Sequence, residues 1–94
     1  MHSIFSEERQ CWICGSVRWL ELHHVFGGAN KKKSEKYGLM VYLCHYCHNE
    51  PPNGVHHNNA RMDWLRAEGQ KRFEAEHPEL DFLKVFGKNY NLEK

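Results

Sequence analysis

The chain has 94 residues, with 13 basic and 12 acidic side chains and a formal net charge of +1. That is one domain, two at most, and not a polybasic coat for nucleic acid, so any nucleic-acid role needs local patches. A mean hydropathy of -0.79 leaves a modest core, the regime in which small domains draw on a metal or on disulfides. No stretch approaches the ~18–20 apolar residues of a membrane span.

The N-terminal stretch from Met1 to Arg9 carries no apolar run and no cleavage pattern. A reducing compartment, the cytoplasm, is therefore expected. Residues 1–10 read as irregular, with Ile4 and Phe5 free to pack. Cys11-Trp12-Ile13-Cys14 follows, a C-x-x-C clip closed by Gly15. Val17, Trp19 and Leu20 lead into Leu22-His23-His24-Val25-Phe26, which reads as a strand ended by Gly27-Gly28-Ala29-Asn30. Lys31 to Lys36 reads as a polar loop, and Leu39 to Leu43 as a second strand antiparallel to the first. That connection is long for a hairpin.

Cys44-His45-Tyr46-Cys47 is a second clip, placed at the start of a short helix that carries His48 and stops at Pro51-Pro52-Asn53-Gly54. Asn58 or Asn59 can cap a long helix from about Ala60 to Glu76. Met62, Leu65, Gly69 and Phe73 recur along it at helical spacing. His77-Pro78 ends it, Glu79 to Phe86 reads as a final short helix closed by Gly87, and a tail follows.

All four cysteines of the chain lie in the two clips. Two clips supply four thiolates for a tetrahedral Zn²⁺, whose sulfurs lie at about 2.3 Å from the ion. The competing readings are plain buried thiols and a pair of disulfides, of which the disulfides fit a reducing compartment less well. Between and after the clips stand His23, His24 and His48, with His56 and His57 further on. Neutral imidazole binds metals, and a histidine with pKa near ~6.5 can take a proton from water. Neighbours on a regular strand point to opposite faces, so His23 and His24 share a site only where the strand ends or bulges. Lys31, Lys32 and Lys33 are positive groups for phosphates beside such a site.

The run Cys-x-x-Cys, Glu21-Leu22-His23-His24-Val25, then Leu43-Cys44-x-x-Cys47-His48 resembles the HNH endonucleases. The stretch His24 to Asn30, with Ser34 to Leu39 and Gly54 to Asn58, looks like phage and prophage members, as does the ending Phe86 to Tyr90. The resemblance implies one α+β domain over 1–94: a zinc-stapled, treble-clef-like ββα-metal core at 11–58 and C-terminal helices at 59–94. It implies a metal-dependent DNA endonuclease. His24 would be its general base, and His23 and His48 would hold the catalytic divalent metal. His56 is a further candidate ligand. Asn30 is the nearest candidate for the family's middle Asn, whose usual place before the second strand is taken by Lys36-Tyr37-Gly38-Leu39.

The implied cofactors are structural Zn²⁺ on Cys11, Cys14, Cys44 and Cys47, and Mg²⁺, Mn²⁺, Ni²⁺ or Zn²⁺ for catalysis. Two imidazole ligands favour the last three over Mg²⁺. DNA is the expected partner, with phage packaging or recombination machinery as a wider setting. The alternative is a zinc-dependent nucleic-acid-binding accessory that does not cut.

Overall fold

A computed structural model describes residues 3–90. The described residues form an α+β arrangement of one two-stranded sheet, four α-helices and two 3₁₀ turns. Strand β1 is Leu20–His24 and strand β2 is Met40–Cys44. They pair antiparallel as expected, with Leu20 opposite Cys44 and His24 opposite Met40. Strand β1 starts later than Val17 because Trp19 takes a left-handed backbone, φ 52°. The ladder continues past both ends, through His45 N–H to Trp19 C=O at 3.0 Å and Val25 N–H to Leu39 C=O at 3.0 Å.

The connection between the strands is not the expected loop. A 3₁₀ turn, Gly28–Asn30, runs straight into helix α1, Lys31–Tyr37. The run Lys31 to Lys36 carries no apolar periodicity, but lysine and glutamate are good helix formers. One side of α1 is fixed by Ser34, which is fully buried. Its hydroxyl donates to Phe26 C=O at 2.7 Å and accepts from Phe26 N–H at 3.1 Å. Leu39 N–H returns to Ser34 C=O at 2.8 Å. The long hairpin is thus closed by a helix hydrogen-bonded to both of its arms.

Helix α2, His45–Asn49, leaves β2 directly and carries Cys47 and His48. After the Pro-Pro-Asn-Gly turn comes a second 3₁₀ turn, Val55–His57. Helix α3, Asn59–Glu76, is capped by the Asn58 side chain, which accepts from Arg61 N–H at 3.0 Å. Its buried residues Leu65, Gly69 and Phe73 follow the stripe read from sequence, with Gln70 added. Gly69 is there for proximity: a Cβ would lie 3.1 Å from Val25 Cγ1 and 3.3 Å from Phe26 Cε2. Helix α4 is shorter than the expected Glu79 to Phe86. It spans Phe82–Phe86 because Asp81 caps it, accepting from Leu83 N–H at 3.0 Å.

The core is Val25, Phe26, Leu39, Val41, Leu43, Leu65, Phe73, Phe82 and Phe86, joined by Phe5 and the buried cysteines. Phe26 meets Phe82, Phe86 and Tyr90 at ring distances of 4.8–5.4 Å. The 59–90 segment is therefore packed on the hairpin. The N-terminal segment covers the outer edge of β2, with Ile4 N–H on Gly38 C=O and Trp12 N–H on Tyr42 C=O, both 2.9 Å. Covering an edge in this way removes a row of unpaired backbone groups. No described helix is long and apolar enough to cross a membrane.

Candidate metal centres and the histidine cleft

The four cysteines meet where the first clip packs against the end of β2 and the start of α2. Their sulfurs all lie within 4.8 Å of one another. Cys14 Sγ and Cys44 Sγ are 3.6 Å apart. That is far beyond the ~2.05 Å of a disulfide. It is close to the edge of a tetrahedron with sulfurs about 2.3 Å from a central ion. All four are free thiols, and only Cys14 is exposed. Burial pushes the Cys11 thiol up, but backbone donors from Cys14, Cys44 and Ile13 outweigh it and bring the group down to about 7. Burial first, then the neighbouring thiols, pushes Cys47 up. Four clustered sulfurs of this kind fit a single thiophilic cation, which would relieve their mutual repulsion on ionisation.

A second cluster forms from three elements that are distant in sequence. The end of β1 supplies His23, α2 supplies His48, and the second 3₁₀ turn supplies His56. One ligand nitrogen from each lies within 4.8 Å of the others. His48 Nε2 and His56 Nε2 are 3.0 Å apart. His23 is 5 % exposed, and its Nε2 is buried with no hydrogen-bond partner in the protein. Buried polar atoms are normally paired, so an orphan beside two other imidazoles needs a partner. Three nitrogens at this spacing fit a first-row transition metal, for which metal–nitrogen distances are about 2.0–2.1 Å. Burial, followed by the charges of His48 and His56, holds His23 down to about 3. Burial likewise lowers His56. Both imidazoles are thus kept neutral, the form that ligates.

The cluster opens into a cleft of about 280 Å³ lined by Leu22, His23, His24, Gly27, Lys31, His48 and His56. His23 and His24 do share it, at the last two positions of the strand. His24 turns its Nε2 towards Glu35 Oε2 of α1, 3.2 Å away. Glu35 went unnoticed in the sequence because it lies in the segment read as a loop.

Several expected site residues sit elsewhere. Asn30 does not enter the cleft; its Nδ2 donates to Phe86 C=O at 3.2 Å and ties the 3₁₀ turn to α4. Lys33 Nζ donates to Val85 C=O at 2.6 Å. Among the three lysines, Lys31 alone lines the cleft, while Lys32 is exposed on α1. They lie on a helix, and successive helical residues face different ways. Glu21 also carries more than its sequence position suggested. It accepts from His48 Nδ1 at 2.7 Å, Asn49 Nδ2 at 2.9 Å and His45 Nδ1 at 3.0 Å. These bonds, led by His48 and His45, hold its carboxyl down to about 2. A charged residue two places before the His-His pair was the only available signal.

Comparison with known proteins returns no matching family model, no matching curated protein and no matching solved structure.

Proposed function

We propose that the chain is a metal-dependent DNA endonuclease of the HNH class, with a zinc-stapled ββα-metal core and a helical extension. The observation that carries this reading is the convergence of His23, His48 and His56 beside His24 in one cleft. The order β1, β2, α2 around that cleft supports it. Cys11, Cys14, Cys44 and Cys47 would hold a structural Zn²⁺ beside it. An ion on the three imidazoles would relieve charge on a phosphoryl group and on the leaving oxygen.

The chain's own groups do the rest. When His24 Nε2 donates to Glu35, the Nδ1 lone pair is left to accept a proton from the attacking water. The carboxylate orients the base and stabilises the imidazolium that forms. Ser34 takes over the duty of a middle Asn, because its hydroxyl pins Phe26, two residues beyond the base, to α1. Lys31 on the rim offers a positive charge to the substrate backbone. Three nitrogen ligands suit Mn²⁺, Ni²⁺ or Zn²⁺ better than Mg²⁺, which prefers oxygen.

The test is plasmid nicking with each of Mg²⁺, Mn²⁺, Ni²⁺ and Zn²⁺, with His24→Ala as control. A general base typically contributes ~10²–10⁴-fold. Turnover should fall by about that factor in the variant, with the second-site metal retained. Wild-type protein that binds DNA but never cuts with any of these ions would favour the non-cutting accessory.

A further inference from the structure

We propose that Glu21 is a positioning residue that sets the tautomer of His48, presenting its Nε2 lone pair to a metal. The proposal rests on the reading of His23, His48 and His56 as a metal site. Glu21 lies on β1 two residues before His23, directly across the sheet from Leu43. From there its carboxylate reaches the first turn of α2 and is gripped by three side chains. Oε1 lies 2.7 Å from His48 Nδ1 and 2.9 Å from Asn49 Nδ2. Oε2 lies 3.0 Å from His45 Nδ1.

The proton on His48 follows from that geometry. A carboxylate oxygen and an imidazole nitrogen at 2.7 Å repel unless a proton lies between them, and an ionised carboxylate has none to give. Asn49 Nδ2 also lies 3.1 Å from His48 Nδ1. Asn49 has a closer acceptor in Glu21 Oε1, so His48 Nδ1 does not have to receive its proton. The proton therefore sits on Nδ1. In the neutral ring, the form that ligates, Nε2 then carries the lone pair, and it faces His56 Nε2 at 3.0 Å.

The remaining bonds hold the carboxylate still. His45 Nε2 is 3.1 Å from Glu50 Oε1, so His45 bridges two carboxylates and ties Glu21 to the end of α2. Glu21 is then the outer member of a carboxylate–histidine–metal series. In such series the outer partner fixes ring orientation and raises ligand basicity, and its loss typically costs 10–100-fold in metal affinity. Among the described residues no other carboxylate sits on a ring nitrogen of the three clustered histidines, so no second residue duplicates the role.

The test uses the full chain with its thiolate site loaded with zinc. Nitrogen-15 NMR of histidine-labelled protein reads the His48 tautomer before any second metal is added. Zn²⁺ titration against a chromophoric chelator then reads second-site affinity. The expected wild-type result is His48 protonated on Nδ1. In Glu21→Ala that preference is lost and second-site affinity falls about 10–100-fold, with the thiolate zinc unchanged. Glu21→Gln keeps an acceptor without the charge and should fall between the two; it carries the test if the alanine variant does not fold. His48 protonated on Nε2 in the wild type, or wild-type affinity in both variants, overturns the proposal. Wild-type protein that takes up no second metal overturns the metal-site reading beneath it. The two failures are distinguishable because the tautomer is read in the absence of that metal. Neither depends on whether the protein cuts DNA.

Discussion

At His23 the burial of one ring has a consequence that reaches the stability of the whole chain. Its folded pKa, about 3, lies far below the ordinary 6.5. Below the unfolded value the unfolded state binds the extra proton, so stability is lost as pH falls from about 6.5 towards 3. Acid also protonates thiolates, so a comparison is needed to isolate the histidine. Denaturant unfolding with the histidine site metal-free should show a steeper pH slope in the wild type than in His23→Phe, where the other groups held low, His56 and Glu21, still contribute. Equal slopes would mean that the ring is hydrated rather than buried. Ser34 is the other residue whose burial matters. Its hydroxyl makes two bonds to the backbone of one residue, Phe26. Ser34→Ala leaves the Phe26 N–H and C=O without that partner and should cost about 1–3 kcal/mol, measured by the same unfolding experiment. Its damage should centre on the His24 turn.

Among the elements, the junction between α2 and the second 3₁₀ turn decides whether His56 reaches His48. Gly54 makes that junction possible by close approach rather than by unusual dihedrals. A Cβ there would lie 2.7 Å from Glu50 N and 2.9 Å from both Asn49 N and Asn49 C, all backbone atoms that cannot swing away. Gly54→Ala must therefore displace the turn that carries His56. The expected outcome is weakened metal uptake at the histidine cluster with one zinc still on the thiolates, read by elemental analysis and titration. Unchanged uptake at both sites would show that His56 is not needed as a ligand. Helix α3 supplies a simpler case. Asn58→Ala removes its N-cap and should cost ~0.5–2 kcal/mol in denaturant unfolding with the thiol cluster unchanged.

On the scale of the molecule, two candidate metal centres share one short helix: Cys47 and His48 are consecutive on α2. The four cysteines lie where the N-terminal clip meets the end of the hairpin, and the three histidines where β1, α2 and the second turn meet. Structural zinc in small domains is worth roughly 10–16 kcal/mol apparent, comparable with or above the ~5–15 kcal/mol net stability of a whole domain. Chelation strong enough to strip the thiolates should therefore unfold the chain, seen as loss of far-UV ellipticity that zinc restores. A fold that survives with fewer than one metal per chain would show that the aromatic core suffices. The lysines separate on the same scale. On the proposed function, Lys31→Ala should weaken DNA binding and reduce its salt slope by about one. Lys33→Ala should act mainly on stability, since its ammonium is held by Val85 C=O.

What the sequence by itself determined is what short-range chemistry encodes. The two clips, the antiparallel strands around the Gly-Gly break, the α3 stripe of Leu65, Gly69 and Phe73, and the Asn58 cap are all local patterns. The thiol cluster was legible because four cysteines in two clips leave few alternatives; His23 stood out in a His-His pair between the clips and His48 directly after the second. Helix α1 was not legible: its helical state depends on Ser34 reaching back to Phe26, a contact that no local pattern announces. The partners Glu21 and Glu35, the displacement of Asn30 to α4, and the capture of Lys33 by Val85 C=O were decided by tertiary structure alone. Each of them joins groups brought together only when α1, α2 and α4 dock on the hairpin. Hydrogen bonding is short-ranged and directional, so such pairings exist in the packed chain and nowhere in the order of its residues.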